Sequence, residues 1–144
     1  MNSKIYLIQT DTTIGFVSQD ASRLTSIKKR PPHKHYICTL DSLKRLKKFT
    51  RVPQSHKNRI RRSCKSTYIM PNGRSYRVVC DPKHKSFLES IGGWAFSTSA
   101  NISGKKYDEE WARSAADVVI EPLDVINKPS QIFMLGKNKI KRVR

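Results

Sequence analysis

Two short stretches concentrate hydrogen-bonding side chains next to runs that are typical of buried strands. The first, Phe96–Gly104, reads FSTSANISG and holds four hydroxyl-bearing residues and one amide in nine positions. The second, Gln9–Phe16, reads QTDTTIGF and holds three threonines and an aspartate. Such turns offer hydroxyls and backbone N–H groups that can converge on an anion, and open α/β sheets bind their ligands at strand ends. The alternative for each stretch is a simple Ser/Thr turn or helix cap.

A third stretch, Ile27–Pro32, reads IKKRPP and places three consecutive basic residues before a double proline. Proline cannot continue a helix, so we expect a helix to end here. Basic residues at that end suit the helix dipole, which is one interpretation of the pattern. The other is that a rigid turn holds Arg30 where its guanidinium can bind a phosphate through two hydrogen bonds.

The charge of the chain favours phosphate-bearing partners. Its 144 residues include 29 Lys and Arg against 11 Asp and Glu, a formal net charge of +18, and such a field promotes association with anions. Ten basic residues and no acidic one lie in Leu43–Lys65, which we call the basic segment. If Ser42–Phe49 is helical, Leu43, Leu46 and Phe49 face the core. The opposite face is then a cationic surface for tRNA or double-stranded RNA, formed by Lys44, Arg45, Lys47 and Lys48.

Other classes of protein are disfavoured. The three cysteines, Cys38, Cys64 and Cys80, show no C-x-x-C spacing, so neither a disulfide framework nor a zinc knuckle is indicated. His33 and His35 lie near Cys38 but lack a fourth ligand with matching spacing, which favours an exposed loop over a metal site. No run approaches the ~20 apolar residues of a membrane span, and the N-terminus lacks the apolar region of a secretory signal. We expect a cytoplasmic protein that binds no membrane.

The remaining pattern predicts an α/β fold in one domain, residues 1–144. Strand-like and helix-like segments alternate along the chain, which favours a largely buried, twisted sheet. We expect Trp94, Phe96 and Trp111 to be core anchors rather than platforms for base stacking. The predicted strands are Ile5–Ile8, Ile14–Val17, Tyr36–Thr39, Thr67–Met70, Tyr76–Cys80, Trp94–Ser97, Val118–Glu121, Ile132–Leu135 and Ile140–Val143. The predicted helices are Ala21–Lys29, Ser42–Phe49, Ser55–Arg62, His84–Ile91 and Tyr107–Ala116.

Taken in chain order, these stretches resemble the YrdC-like family of threonylcarbamoyl-AMP synthases, in a short single-domain form. The family patterns S-A-N-x-S-G and K-x-R-P are intact, and the pattern P-T-D-T-x-Y-G is matched in part. The resemblance spans nearly the whole chain. The matching segments are Gln9–Gly15, Lys28–Pro31, the arginine-bearing Ser75–Val78, Ser99–Gly104, Pro129–Ile132 and a basic strand that ends at Arg144.

The resemblance implies a YrdC-like twisted open mixed sheet with flanking helices around a basic cavity. It also implies an L-threonylcarbamoyladenylate synthase, a nucleotidyltransferase that joins L-threonine, bicarbonate and ATP and releases pyrophosphate. ATP would arrive with Mg²⁺, and no metal would be bound by the protein itself. Separate threonylcarbamoyl-transferase proteins would use the product to modify a tRNA adenosine. The alternatives are a non-catalytic RNA- or tRNA-binding relative and a YciO-like paralogue with weak activity.

The resemblance also implies roles for individual residues. Catalysis would rest on Lys28 and Arg30, which neutralise charge that develops on the phosphates; no protein nucleophile is required. The expected threonine-binding residues are Thr12, Arg77, Ser97 and Ser130. The expected nucleotide-binding residues are Lys28, Arg30, Lys34, Ser99, Asn101 and Arg144. The sequence departs from the family pattern at Gln9, Ile14, Lys34 and Thr39, where the family has proline, tyrosine, asparagine and histidine, and these departures bear on substrate selectivity more than on fold.

Overall fold

A nine-stranded twisted mixed sheet organises the computed structural model, which describes residues 3–31, 34–123 and 129–144. The spatial order of the strands is β7-β1-β2-β6-β3-β5-β4-β8-β9. The pairs β1/β7, β3/β5 and β4/β8 are parallel, and the other neighbours are antiparallel. The strands are β1 (Tyr6–Gln9), β2 (Ile14–Ser18), β3 (Ile37–Leu40), β4 (Ser66–Ile69), β5 (Ser75–Val78), β6 (Trp94–Ser99), β7 (Val118–Val119), β8 (Gln131–Leu135) and β9 (Ile140–Arg142). The predicted α/β class is confirmed.

The described residues form five α-helices, four of which begin at a side-chain cap. Ser42 caps α2 by accepting the Arg45 backbone N–H, and Asp81 caps α4 by accepting that of His84. The predicted fourth helix therefore begins earlier, at a proline in its first turn. The helices are α1 (Ala21–Lys28), α2 (Leu43–Phe49), α3 (Lys57–Arg62, preceded by a 3₁₀ turn at Gln54–His56), α4 (Pro82–Ser90) and α5 (Glu109–Ala115). Within the described ranges, none of the helices combines the length and the apolar character that crossing a membrane requires.

The two faces of the sheet carry different side chains because successive strand residues point in opposite directions. Cys38 pairs in register with Tyr76 and Phe96, and these three lie on the face that we call the helical face. There α2 and α3 bury Leu46 and Ile60 against the sheet. Helices α1 and α5 complete the same face; they bury Leu24 and Ala112 in a second cluster around Phe16. Leu43 is buried as predicted, but Phe49 is 40% exposed, contrary to the prediction that it faces the core.

The opposite face, which we call the open face, is covered in part by α4. Leu88 of α4 packs there against Val17, Val79 and Ala95, and in the described portion of the chain α4 is the one helix on this side. Next to this apolar cluster the strands bury polar residues instead, including Thr39, Arg77 and Ser97. Buried polar groups need partners, so the open face is where the fold has room for a polar ligand.

Strands β2 and β6 approach each other closely at Gly15. A Cβ atom built on Gly15 would lie 2.9 Å from the carbonyl oxygen of Thr98 and 3.1 Å from Cγ2 of Thr10. The first contact is too short for a real side chain and is to backbone, which cannot move aside easily; the second is tight and would require the Thr10 side chain to shift. The glycine therefore permits the β2–β6 pairing that holds the two polar stretches next to each other.

We expect Gly15→Ala to lower the free energy of unfolding by about 1–3 kcal/mol, because the methyl group overpacks a buried strand pair. Urea denaturation measures this change. Gly136→Ala is the matched control, since the nearest atom to its new Cβ would be Lys139 Cβ at 3.8 Å, an ordinary contact. Equal stability of the two variants would show that the close approach at Gly15 is not a constraint.

Candidate functional site

A polar cleft of about 410 Å³ lies on the open face at the ends of several strands. Seven of the ten residues predicted for the site line it, and they come from six separate segments of the chain. The other three, Lys28, Lys34 and Asn101, lie outside its lining. The seven are Thr12, Arg30, Arg77, Ser97, Ser99, Ser130 and Arg144. The fold thus brings together most of the residues that the resemblance singled out.

The turn between β1 and β2 is organised by the hydroxyl of Thr10. This hydroxyl donates to the carbonyl of Thr13 (2.6 Å) and accepts the backbone N–H groups of Thr12 (3.2 Å) and Thr13 (3.1 Å). The stretch is therefore a Ser/Thr turn, which was the simpler interpretation. The same turn also places Thr12 and Thr13 on the wall of the cleft. The two interpretations of this stretch are compatible.

A buried ion pair joins the turn to β5 beneath the cleft. Arg77 Nη2 lies 3.0 Å from Asp11 Oδ1, and their side chains are 4% and 2% exposed. Burial lowers the pKa of Arg77, and the charge of Asp11 opposes that shift. Arg77 Nε is buried without a hydrogen-bond partner among the described residues. A buried donor without an acceptor is costly, so this edge of the cleft is suited to an anionic ligand.

His84 of α4 completes the environment of Asp11. The Asp11 backbone N–H donates to His84 Nδ1 (3.3 Å), which also lies 3.5 Å from Asp11 Oδ1. Burial raises the pKa of Asp11, but the contact with His84 and the charge of Arg77 outweigh it and hold that pKa below its ordinary value. Neither Asp11 nor His84 was predicted from the sequence to support Arg77. Asp11 belongs to the polar stretch Gln9–Phe16, whereas no local sequence pattern indicates a role for His84.

The C-terminal segment supplies the far wall of the cleft. Ser130 Oγ lies 2.7 Å from Thr67 Oγ1 on β4. Arg144 returns to this point and donates from Nε to the Ser130 carbonyl (3.0 Å) and from Nη2 to Ser130 Oγ (3.3 Å). The charge of Arg144 also contributes to lowering the pKa of Arg77. Two guanidinium groups from distant parts of the chain, one on a central strand and one after the edge strand β9, therefore act on the same cleft.

Lys28 supports the cleft from behind instead of lining it. Its buried Nζ donates to the carbonyls of Ser99 (2.7 Å) and Asn101 (2.8 Å), with Asn101 Oδ1 at 3.4 Å. Burial, with the charge of Arg30, lowers the pKa of Lys28 to about 8. Asn101 in turn donates to the carbonyls of Ile102 and Lys105, and the loop closes at Gly104 with a φ of 80°. Lys28 and Asn101 thus shape the loop that presents Ser99.

The remaining predicted residues have distinct surroundings. Arg30 donates to the carbonyl of His35 (3.2 Å), and its Cζ lies 4.7 Å from the ring centroid of Tyr36. Lys34 borders a separate cavity on the helical face. Thr39 is fully buried, and its hydroxyl donates to the Ala95 carbonyl (2.8 Å). The predictions that involve the double proline and the His33-x-His35 pair stay predictions, because Pro32 and His33 lie outside the described residues.

Comparison with solved structures identifies the fold. The structure of a double variant of Sua5 from P. abyssi matches with a TM-score of 0.85 and 18% identity, over 98% of this chain and 52% of its own. Sua5 in complex with L-threonine matches with a TM-score of 0.81 and 17% identity, over 98% of this chain and 50% of its own. YciO of E. coli matches with a TM-score of 0.77 and 18% identity over 99% of this chain and 82% of its own. The chain has the YrdC-like fold. The same fold occurs in full-length HypF in its phosphate- and nucleotide-bound form (0.77, 19%, 98% and 26%).

Curated sequences similar to this YrdC-like domain are longer proteins. Uncharacterized protein MG259 of Mycoplasma genitalium is 30% identical over 156 aligned residues, and its Mycoplasma pneumoniae homolog is 27% identical over 146. Each alignment covers 94% of this chain and 31% of the relative, so the chain spans about a third of the length of the curated relatives it matches. No protein-family model matches the chain.

The buried ion pair predicts a large effect of a small change at Asp11. We expect Asp11→Asn to lower the free energy of unfolding by about 3 kcal/mol or more, because Arg77 is left buried without a counter-charge. Glu109→Gln is the control; it breaks an exposed pair with Arg113 and should cost about 0.5 kcal/mol or less. If chemical denaturation gives similar small losses for both variants, the ion pair does not hold this part of the YrdC-like domain together.

The lowered pKa of Lys28 predicts a pH dependence of stability. Between pH ~8 and ~10.5 the unfolded chain retains a proton that the folded chain releases, so this group's contribution to folding becomes more favourable as pH rises. Compared with Lys28→Met, the wild type should therefore gain about 3 kcal/mol of relative stability across that window. Denaturation of both proteins at a series of pH values measures the difference, and the other lysines cancel in the comparison. A difference that stays constant from pH 7 to 10.5 would contradict the shift.

Proposed function

We propose that this chain acts as an L-threonylcarbamoyladenylate synthase, which forms threonylcarbamoyl-AMP from L-threonine, bicarbonate and ATP. One observation carries the proposal. Three arginines and seven hydroxyl-bearing residues from distant segments line a single cleft, and none of the described residues lining it is acidic. Two structural neighbours add support, since Sua5 was solved with L-threonine and HypF with phosphate and nucleotide.

In this proposal the threonine lies at the Arg77 side of the cleft. The unpartnered Nε of Arg77 would donate to the substrate carboxylate, a charge-assisted hydrogen bond in a buried site. The hydroxyls of Thr12, Ser97 and Ser130 would bind the ammonium group and the threonine hydroxyl. A site built around a hydroxyl rejects analogues that lack one, because its own polar groups are then left unpaired. Thr39, whose hydroxyl is already used by Ala95, is not part of this set.

The nucleotide lies at the Arg30 side. Arg30 and Arg144 would bind the phosphates, and Ser99 would contact them from the loop that Lys28 and Asn101 hold in place. Lys28 is thus a positioning residue with a nearby charge, since its ammonium group is already hydrogen-bonded to the loop. A direct nucleotide contact by Lys34 is not included, because that side chain borders the other cavity.

The chemistry would proceed by positioning and charge neutralisation. The threonine amine attacks bicarbonate and releases water, which gives a carbamate; a carbamate oxygen then attacks the α-phosphorus, and the bond to the β-phosphate breaks. Arginines around the cleft would stabilise the charge on the departing pyrophosphate. Mg²⁺ would enter with ATP and be held by its phosphates, because the described lining offers no carboxylate. Holding the reactants at attack distance can contribute about 7 kcal/mol or more.

A second candidate function, RNA binding without catalysis, is favoured by the basic segment. Helices α2 and α3 bury Leu43, Leu46 and Ile60, and eight of the segment's ten basic residues are exposed. In the described ranges, Arg45 is the one member with an ion-pair partner, Asp41. Such a surface would attract tRNA whether or not the cleft is active. A catalytic protein would also need downstream threonylcarbamoyl-transferase proteins to complete tRNA modification.

The synthase proposal predicts that pyrophosphate is released from ATP when L-threonine and bicarbonate are both present. We expect Arg30→Ala to reduce this rate about 100-fold or more, because the variant has no cation at this position to act on the transferring phosphate. Arg62→Ala is the matched control, since Arg62 is an exposed cation on α3 outside the cleft lining. Circular dichroism would establish that both variants are folded.

The outcomes separate the alternatives. Turnover that needs threonine and bicarbonate and is abolished in Arg30→Ala supports the synthase. Turnover with other amino acids, with a different product mass, indicates a YciO-like paralogue with another specificity. No release of pyrophosphate under any of these conditions, together with RNA affinity that falls steeply with salt, would contradict the synthase and support the binding protein.

A further inference from the structure

A second cavity, of about 450 Å³, lies on the helical face of the sheet between α1 and the end of α2. Its floor is formed by Cys38, Tyr76 and Phe96, which are neighbours in register on β3, β5 and β6. The polar cleft is bordered by the alternate residues Ile37, Arg77 and Ser97. Since alternate strand residues point to opposite faces, the two cavities are separated by the sheet, and they adjoin where His35 and Ser75 border both.

Aromatic rings form much of this second cavity. Phe49, Trp94 and Phe96 make consecutive edge-to-face contacts, with centroid distances of 5.6 Å and 5.5 Å. Trp94 and Phe96 are half-buried and pack on the core as predicted. Phe49 at the end of α2 is 40% exposed. Each ring therefore has a core-facing side and borders open volume, so a role as anchor and a role as binding platform are compatible.

Cations surround the mouth of the cavity. Lys34 and Arg74 line it, both are exposed, and neither forms an ion pair with another described residue. Lys47 and Lys48 lie immediately before Phe49 and are exposed members of the basic segment. None of the described residues that line the cavity is acidic. Aromatic rings next to uncompensated cations are the combination that single-stranded nucleic acids require, because the bases stack and the phosphates need positive charge.

We propose that this cavity binds an unpaired nucleobase of a single-stranded RNA segment. The base would stack against Phe49 and Trp94, and the adjoining phosphates would contact Lys34, Arg74 and the α2 end of the basic segment. The volume falls within the roughly 300–1,000 Å³ that is usual for ligand sites. Bases inside a duplex are stacked and paired and would be excluded, so the surface would prefer loops, bulges or ends. This site is on the opposite face from the polar cleft, and the proposal does not depend on the synthase activity.

The test uses Trp94 as the reporter in a Trp111→Phe background, since the chain has two tryptophans. The probes are an RNA hairpin with an unpaired loop, a fully paired duplex of the same number of phosphates, and free AMP. We expect the hairpin to bind more tightly than the duplex and to change Trp94 fluorescence. Phe49→Ala should weaken hairpin binding about tenfold or more, since it removes one ring on which the base stacks. Met134→Ala is the control, because Met134 is also an exposed apolar residue but lies on β8.

The salt dependence gives a second readout. Replacing Lys34 and Arg74 together by glutamine should reduce the slope of log affinity against log salt by about 1.4, because each single-strand phosphate that a cation neutralises contributes about 0.7 to that slope. Equal affinity for hairpin and duplex that is insensitive to Phe49→Ala would overturn the proposal and assign RNA binding to the basic surface alone. Binding of AMP with no preference for loop RNA would also overturn it, and would assign the cavity to free nucleotides.

Discussion

The ion pair between Asp11 and Arg77 is the interaction on which the candidate site depends. Arg77 sits on a central strand with its guanidinium almost fully buried, and Asp11, on the turn between the first two strands, supplies the opposing charge. A buried arginine without this partner would be strongly unfavourable. The pair fixes the turn against β5, so Thr12 and Ser97 lie at the same cleft as Arg77. Arg77 Nε and both carboxylate oxygens of Asp11 lack hydrogen bonds within the described chain. The two opposite charges therefore balance each other, but the hydrogen-bonding capacity of the pair is not satisfied.

Helix placement separates two kinds of surface on one sheet. Helices α1, α2, α3 and α5 cover the helical face and leave an aromatic cavity between α1 and α2, whereas α4 covers part of the open face and leaves the polar cleft. The net charge of +18 favours anions at both surfaces, but the side chains that lie next to the cations differ. Arginines beside hydroxyls suit small anionic substrates, while lysines beside aromatic rings suit single-stranded nucleic acid.

Much of the fold and of the site was predictable from the sequence, because the signals were local or motif-based. The strand runs and the polar stretches lie close to where the sequence predicts them. What was not predictable depends on contacts between distant residues. Lys28 lies behind its loop because three oxygen atoms of that loop converge on its ammonium group, and His84 contacts Asp11 across 73 positions of the chain. Phe49 has the same helical spacing as the buried Leu43 and Leu46, which predicts that it faces the core. It instead borders an open cavity at the end of α2.

The central claim is that the arginines and hydroxyls of the open face bind an amino acid and a nucleotide together. A crystal structure with L-threonine and a non-hydrolysable ATP analogue tests it most directly. The account predicts that the threonine carboxylate lies within hydrogen-bonding distance of Arg77 Nε and that the phosphates lie between Arg30 and Arg144. Ligands bound in the aromatic cavity on the helical face, or a polar cleft that stays without ligand at saturating concentrations, would contradict it.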